Sequence, residues 1–419
     1  MKKIYFVFLL PLFLYSQNLE ELINLSVENR LVESTKQRVD ALKEDYKGTK
    51  SGYLPQFNVG AKYYINDNEH SSLGISKKGF NAYGSVDFIV YDGGKRGDTF
   101  DIYESSIKSQ EQSLEALKNN ISLNVVNYYY NYLSLDARKD AKQREIEQLT
   151  AQKNRIEKFY EAGTATEDEF QKIVSRLEMA NVELQEVELN LVTILHNLEY
   201  ITGSIVTISS GSIVTISSGS TVKALEEDIE TNDRFDIQAL LYDSEAKSYS
   251  TKAEKSGYLP TISLNHTMNY DDKDYRDDNM RNGPYHQNIS SANLNWNIFS
   301  FGETKFKSEA KHKEYLASKL NYDYEKNRAD VDLKLSLKAY DIALAKIKSS
   351  EASVIAAQTA YEVIKSKFEN GLIDNVAYLQ SLTEKYDAIS QHKQSLNDLE
   401  IKKATIIYNS GEKIKEYIR

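Results

Sequence analysis

In this sequence, few reactive residues have the spacing that a catalytic site or a metal site would require. The absence of cysteine excludes thiol nucleophiles, thiolate-bound zinc and disulfides. The acidic run at 271–278 lacks the glycine and terminal glutamate of an EF-hand, and the segment 93–97 lacks the P-loop pattern. No metal-ligand spacing is found among the six histidines, His70, His196, His266, His286, His312 and His392. We therefore expect no enzyme activity, no metal and no cofactor.

The composition limits the classes of partner. The 419 residues carry a formal net charge of −10, whereas nucleic-acid binding needs a basic surface. We therefore expect no nucleic-acid partner. Only 4 prolines occur, which favours long uninterrupted helices.

The N-terminal residues predict export. Two lysines, Lys2 and Lys3, precede the uncharged run Ile4–Tyr15, which is too short to span a bilayer. This pattern is typical of a secretory signal peptide, and we expect residues 1–16 to be removed. No other stretch approaches 18 consecutive apolar residues, so the sequence predicts an exported chain without a transmembrane helix.

An internal repeat organises the rest of the chain. The segment SGYLP at 51–55 recurs at 256–260, an offset of 205 residues. Two more landmarks recur at an offset of 208: YDGG at 91–94 as FSFG at 299–302, and YEAG at 160–163 as FENG at 368–371. We therefore predict a first repeat at 17–202, an irregular linker at 203–222 that contains the tandem octapeptide GSIVTISS, a second repeat at 223–411 and a C-terminal tail at 412–419.

Each repeat should contain two β-strands. Apolar and polar residues alternate over 56–65, 82–91, 261–270 and 290–299, and each run has the length of a transmembrane β-strand. Soluble hairpins would show the same alternation, but the export signal and the aromatic residues near the strand ends favour a membrane sheet. The positions predicted to face lipid include Val86, Phe88, Leu294 and Trp296. Four strands cannot close a barrel, so two or three chains would have to share one of 8 or 12 strands.

Long helical hairpins should follow the strands. The segments 94–160 and 302–368 contain no proline and carry apolar residues at seven-residue spacing, and each would form about 100 Å of helix. The turns lie at 163–166 and 371–374. Gly163 and Gly371 can each end a helix in a left-handed conformation, and Thr166 or Asp374 can cap the helix that returns.

Together these features resemble the TolC family of outer-membrane efflux proteins, over essentially the whole chain after residue 16. The resemblance is carried by the duplicated YLP segment, 91–96 between strand and helix, the two aromatic-x-x-Gly turns, 201–203 and 232–237. It implies a homotrimer dominated by α-helices: a 12-stranded transmembrane β-barrel in outer-membrane lipid, continued by a helical barrel through the periplasm.

The sequence departs from the family pattern at several positions. Phe235 stands where the family often has proline, and Ala377 and Gln380 stand where the TolC protein has the acidic rings of its periplasmic entrance. A carboxylate ring would therefore have to come from other residues or be absent. The candidates for the aperture are Glu167, Asp168, Glu169 and Asp374.

The function implied is a passive exit duct of a tripartite efflux pump or type I secretion system. An inner-membrane transporter would drive export through a periplasmic adaptor (membrane fusion protein). By resemblance, the adaptor docks on the turns, at Gly163, Thr164, Ala165, Gly371, Leu372 and Ile373. The alternative is a structural coiled-coil or adhesin-like surface protein with a small β anchor. Two matched glycine turns favour the duct, since a stalk needs no repeated docking surface.

Overall fold

The computed structural model describes residues 17–67, 76–208, 234–275 and 281–418. The predicted signal peptide, the second copy of the octapeptide and residues 276–278 of the acidic run lie outside these ranges. Within them, no helix is long and apolar enough to cross a membrane.

Seven α-helices and four β-strands are formed by the described residues. The helices are α1 (Leu19–Val27), α2 (Arg30–Gly52), α3 (Lys95–Glu161), α4 (Glu167–Thr202), α5 (Phe235–Lys255), α6 (Glu303–Glu369) and α7 (Asn375–Asn409). The strands are β1 (Gln56–Ile65), β2 (Ser76–Tyr91), β3 (Thr261–Tyr275) and β4 (Gly283–Asn295). Short 3-10 turns lie at Ser256–Tyr258 and Ile414–Tyr417.

The first helical segment differs from its prediction as one helix over about 19–50. The structure divides it into α1 and α2 at Glu28 and Asn29. The Asn29 side chain accepts a hydrogen bond from the Val32 amide and donates one to the Ile201 carbonyl. The Asn29 side chain thus caps α2 and is hydrogen-bonded to the end of α4, and α1 and α2 are two helices rather than one.

The strands form one antiparallel sheet in the order β1-β2-β3-β4. Within the hairpins, Gln56 lies opposite Asp87 and Thr261 lies opposite Asn295. Three strands differ from their predicted bounds, and one of them is β3, which continues to Tyr275 rather than ending at 270. β2 already begins at Ser76 rather than at 82, and β4 covers Gly283–Asn295 rather than 290–299. Trp296, which we expected in β4, therefore lies just beyond it, and its indole donates a hydrogen bond to the Tyr258 carbonyl.

The chain divides into two compact units, each built from both repeats. One unit, called here the sheet unit, comprises Lys36–Ser113 and Asp236–Glu325. The other, called here the helical unit, comprises Met1–Thr35, Leu114–Phe235 and Lys326–Arg419. The predicted repeats are segments of sequence, whereas the compact units follow packing, so their boundaries differ.

The largest core of the helical unit joins residues that are far apart in sequence. Leu19, Leu22 and Ile23 of α1 pack with Tyr129, Tyr130 and Leu198 in one buried cluster. Two segments that lie outside the predicted repeats also contribute. Val206 and Ile208, from the first octapeptide copy, and Ile414 and Ile418, from the predicted tail, are buried in the same cluster.

The segment after α7 is held by a specific side-chain clamp. The amide of Asn119 donates to the Glu412 carbonyl at 2.9 Å and accepts from the Ile414 amide at 3.0 Å. Lys413 pairs with Glu115 at 2.8 Å. These contacts make residues 412–418 part of the packed unit.

Candidate functional site: the two helical turns

The turn between α3 and α4 has the backbone geometry predicted from its glycine. Gly163 adopts φ of 71°. Its amide donates to the Tyr160 carbonyl, and the Thr164 amide donates to the Phe159 carbonyl. These two bonds define a Schellman motif, which satisfies the last carbonyl groups of α3.

The turn between α6 and α7 has the same geometry. Gly371 adopts φ of 72°, its amide donates to the Phe368 carbonyl, and the Leu372 amide donates to the Lys367 carbonyl. No atom lies within 4 Å of a Cβ built on either glycine, so the positive φ alone favours glycine there. The two turns therefore present nearly identical backbones.

The side chains beside these glycines differ in exposure. Leu372 is 72% exposed and Thr164 is also exposed. Ala165 is partly buried against the apolar cluster under the turns, and Ile373 is partly buried. Only Leu372 of the predicted apolar anchors therefore projects freely from the single chain, and docking at these turns remains a prediction.

Three of the four candidate aperture carboxylates make local hydrogen bonds. Asp374 accepts from the Ala377 amide at 3.0 Å, which caps α7. Glu169 accepts from the Thr166 amide while the Thr166 hydroxyl accepts from the Glu169 amide, a capping box at the start of α4. Asp168 accepts from the Thr166 hydroxyl and pairs with Lys172 at 3.0 Å. Helix capping accounts for these residues, and a carboxylate ring, in which Glu167 would join them, stays a prediction.

An aromatic layer supports both turns. Tyr160 stacks on Phe170 with ring centroids 5.5 Å apart, and Phe368 stacks on Tyr378 at 4.8 Å. The guanidinium of Arg155 lies over the ring of Phe368 as well as that of Phe159. Because Arg155 lies on α3 and contacts rings on both α3 and α6, the two turns share one packed cluster.

A buried group of charges lies further along the same helices, and the sequence interpretation missed it. Lys142 and Glu145 of α3 pair at 2.6 Å, with side chains only 6% and 1% exposed. Lys142 also pairs with Glu183 of α4 at 2.6 Å. Glu145 accepts a hydrogen bond from Thr383 of α7 at 2.8 Å, and the hydroxyl of Thr383 accepts one from Arg176 of α4. We call these five residues the charged layer.

Hydrogen bonds within the charged layer shift the pKa values of Lys142 and Glu183 toward their charged forms. Burial by itself lowers the pKa of Lys142, but hydrogen bonds to Glu145 and Glu183 outweigh it, so the pKa is raised above its ordinary value. The hydrogen bond from Lys142 lowers the pKa of Glu183. A signal for the layer was present in the sequence. The seven-residue apolar stripe Ile107, Leu114, Ile121, Tyr128, Leu135, Leu149 and Ile156 skips one position, which is Lys142.

The sheet separates an apolar face from a polar face. The pairing places Val86, Phe88 and Leu294 on the face that also carries Leu264. On the opposite face, the Asp87 carboxylate accepts hydrogen bonds from Asn58, Ser85 and Asn265. The three strand positions thus share a face, and their contact with lipid remains a prediction.

The described residues contain no group of three or more histidine, aspartate or glutamate side chains placed to hold a metal ion. The polar side chains discussed above cap helices, pair strands or neutralise one another.

The fold is shared with solved outer-membrane channel proteins. CusC superposes with a TM-score of 0.81 at 14% identity, over 96% of each chain. The CmeC outer membrane channel of Campylobacter jejuni superposes with a TM-score of 0.80 at 17% identity, over 94% of this chain and 86% of that one. The outer membrane protein VceC of Vibrio cholerae gives 0.79 at 14% identity, over 94% of this chain and 96% of that one.

The sequence itself places the chain in a family. The model of the family described as "Outer membrane efflux protein" matches residues 23–204 and again residues 230–410. No curated protein sequence matches the chain. The double match covers most of the sequence and coincides with its internal duplication. The chain therefore belongs to the outer membrane efflux protein family: it is a channel protein of the outer membrane and not an enzyme.

Proposed function

We propose that this protein works as a homotrimeric exit duct, docked at its two helical turns to a periplasmic adaptor and driven by an inner-membrane transporter. Its four strands would form a third of a 12-stranded barrel, and its long helices would extend into the periplasm. It would carry small molecules, as in an efflux pump, or proteins, as in type I secretion. Residues 1–16 would be removed on export.

The observation that carries the docking proposal is the pair of matched turns. Two Schellman motifs with φ values of 71° and 72° lie at equivalent positions of the two repeats. Nothing in the packing around Gly163 or Gly371 requires this match, since a Cβ at either position would meet open space. A repeated partner surface explains why both repeats keep the same exposed backbone.

Exposed apolar side chains support self-association of the chain. On α6, apolar side chains at alternating steps of four and seven residues stay exposed: Leu320, Tyr324, Val331, Leu335 and Ile342. With 3.6 residues per turn, these side chains lie on one side of the helix and form an exposed apolar stripe. A neighbouring copy of the chain would cover it.

Purification in a non-ionic detergent tests the proposal. We expect a mass of three copies by light scattering and ion-conducting channels in planar bilayers. A monomer without conductance would contradict the trimeric duct. That result would instead favour a structural surface protein, a reading that neither the family nor the turns support.

A further inference from the structure

Two tyrosines on the polar face of the sheet each lie directly opposite a glycine. Gly60 of β1 lies opposite Tyr83 of β2, and Tyr64 of β1 lies opposite Gly79 of β2. Side chains two residues apart in a strand share a face, so all four positions lie on the face that carries Asp87. The first hairpin thus contains the same pairing twice, with the two strands exchanging roles.

Each tyrosine ring occupies the space that a side chain of the opposite residue would fill. A Cβ added to Gly60 would lie 2.5 Å from Cε1 and 2.7 Å from the hydroxyl oxygen of Tyr83. A Cβ added to Gly79 would lie 2.7 Å from both Cζ and the hydroxyl oxygen of Tyr64. Carbon atoms in contact are normally about 3.5–4.0 Å apart. Both rings therefore lie against the opposite strand, in space that only a glycine leaves free.

The backbone gives no separate reason for these glycines. Neither Gly60 nor Gly79 adopts the left-handed φ that favours glycine. Gly84 of β2 lies on the apolar face and has no ring over it, since the nearest atom to a Cβ there, outside the adjoining residues, is the Asn58 carbonyl oxygen at 4.0 Å. Because glycine weakens the interior of a strand, its presence opposite both tyrosines is explained by the close approach of the rings.

The second hairpin supports this link between glycine and ring. With the offsets of 205 for β1 and 208 for β2, the two pairs correspond to Asn265 with Ser291 and to Asn269 with Gln287, and both are observed pairs of β3 and β4. None of these four residues is aromatic, and none is glycine. At these positions, glycines and rings therefore occur together in the first hairpin and are both replaced in the second.

The two rings differ in what else touches them. The hydroxyl groups of Tyr64 and Ser76 are hydrogen-bonded at 2.7 Å, and the ammonium of Lys62 lies 5.5 Å from the centre of the Tyr64 ring. Tyr83 is 41% exposed in the single chain. One side of its ring lies against Gly60, and much of the remainder is open to solvent.

We propose that the two glycines set the bore of the channel by keeping the tyrosine rings against its wall. The inference rests on the proposed function, because it takes the polar face as the inner surface of a barrel shared by three copies. A transmembrane barrel turns apolar side chains to lipid and polar ones to its lumen. Side chains of a strand normally stand roughly perpendicular to the sheet, so the two tyrosines of each copy would otherwise project into the lumen. Laid against β1 and β2, they leave the lumen open to larger solutes.

Polymer exclusion in planar bilayers tests the proposal on the full-length trimer. Single-channel conductance is measured with polyethylene glycols of graded radius in one compartment at a time, so the barrel end and the helical end are sized separately. In Gly60→Val, the new side chain displaces the ring of Tyr83 from the wall. We expect the largest polymer radius admitted at the barrel end to fall by about 1 Å or more, the distance needed to restore ordinary carbon contacts. The radius admitted at the helical end should not change.

Matched variants serve as controls. Gly84→Val makes the same substitution in the same hairpin, but on the apolar face, and should leave both radii unchanged. Adding Tyr83→Ala to Gly60→Val removes the displaced ring and should return the barrel-end radius to the wild-type value or above it. The second pair provides an independent repeat, since Gly79→Val should narrow the barrel end and the addition of Tyr64→Ala should restore it.

Tyr83→Ala by itself tests the proposal without a change of glycine. A ring that lies along the wall contributes only its thickness, so its removal should widen the barrel end by no more than about 3.5 Å. A larger gain would show that the ring already stands in the lumen, which would overturn the proposal, and this measurement decides the case if Gly60→Val forms no trimer.

The remaining outcomes separate this inference from the proposed function. A conducting Gly60→Val trimer whose barrel-end radius equals that of the wild type would overturn the inference and leave the shared barrel intact. An equal loss of radius in Gly84→Val would also overturn it, because the effect would then not depend on the ring. A wild-type chain that forms no conducting trimer would overturn the proposed function itself.

Discussion

The helical turns and the charged layer use the same charged groups at very different depths. At the turn after α3, Asp168 pairs with Lys172 at 3.0 Å, with both side chains more than half exposed. In the charged layer, Glu145 pairs with Lys142 at 2.6 Å, with both side chains almost fully buried. Water can replace the partner of an exposed carboxylate but not that of a buried one. We therefore expect the layer to determine stability and the turns to determine function.

Removing one member of the charged layer should have the largest effect on stability. Glu145→Ala leaves the buried Lys142 ammonium with Glu183 as its remaining salt-bridge partner. It also removes one of the two hydrogen-bond acceptors of the Thr383 hydroxyl. Breaking a buried pair in this way costs about 3–5 kcal/mol. The apparent unfolding midpoint in guanidinium, measured in one detergent, would report the loss.

Two variants make that result interpretable. Asp168→Ala removes an exposed carboxylate from the turn and should leave the midpoint unchanged. The double variant Lys142→Leu with Glu145→Met should recover part of the loss, because it makes the apolar stripe of α3 continuous. Equal losses for Glu145→Ala and Asp168→Ala would contradict the distinction between the two regions.

A charge introduced at the second turn should have the opposite effect: it should reduce function without reducing stability. Leu372→Asp alters a side chain that is 72% exposed in the single chain, so the unfolding temperature should not change. If Leu372 is buried against the adaptor, losing its burial of about 1.5–3 kcal/mol weakens docking about 10- to 150-fold. Drug or protein export and crosslinking to the adaptor in cells measure the effect.

The first turn provides the control for this experiment. Thr164→Asp changes the equivalent position, which is already polar, so export should fall less than in Leu372→Asp. Normal export by a stable Leu372→Asp protein would show that docking happens elsewhere. Ile373→Asp is less informative, because that side chain is partly buried and its loss would affect packing too.

Replacing either turn glycine should cost an intermediate amount. Gly163→Ala and Gly371→Ala each force a Cβ into a left-handed conformation, which costs about 1–2 kcal/mol without any clash. Because the φ values differ by one degree, the two losses should agree within about 0.5 kcal/mol, and asparagine should be tolerated better than alanine. Differential scanning calorimetry of both pairs would check this, and strongly unequal losses would show that one turn is held by contacts absent from the single chain.

The pH dependence should be the smallest effect. Hydrogen bonding to Lys142 lowers the pKa of Glu183 below its ordinary 4.5, so the unfolded chain binds the proton more tightly than the folded chain does. The stability it adds is therefore present above pH 4.5 and is lost as the pH falls through the lower folded value. The pKa of Lys142 is raised, so its contribution to stability has the opposite pH dependence. It is fully present below pH 10.5 and is lost as the pH rises through the higher folded value.

Unfolding midpoints measured between pH 3 and pH 8 would show the loss of stability at acid pH. The variant Glu183→Gln should make the midpoint depend less on pH. Asp168→Asn should leave the pH dependence unchanged, although a hydrogen bond from Thr166 lowers the pKa of Asp168 too, because that side chain is largely exposed to solvent. A loss of stability near neutral pH would contradict this assignment.

Features that depend on neighbouring residues could be predicted from the sequence. The positions of Gly163 and Gly371, with Thr166 and Asp374 three residues later, correctly predicted both turns and both caps. The bonds that stabilise such turns join residues at most five apart, so the local order of residues is enough. The alternating runs predicted strands for the same reason, and the recurring segments revealed the duplication that the family match confirms.

Which distant groups meet, and how deeply they are buried, depends on how the helices and strands pack. The first six residues of β2, Ser76–Asn81, precede the predicted strand start. They are strand because β1 pairs with Lys78–Asn81 and β3 pairs with Ser76 and Lys78–Asn81. Lys142 and Glu145 look like surface residues of a charged helix, yet α4 and α7 exclude water from them. Thr383 lies 238 residues from Glu145, and no local pattern records that separation. Burial depends on which residues pack around a side chain. The skipped position in the stripe of α3 could therefore signal the charged layer but could not identify its partners.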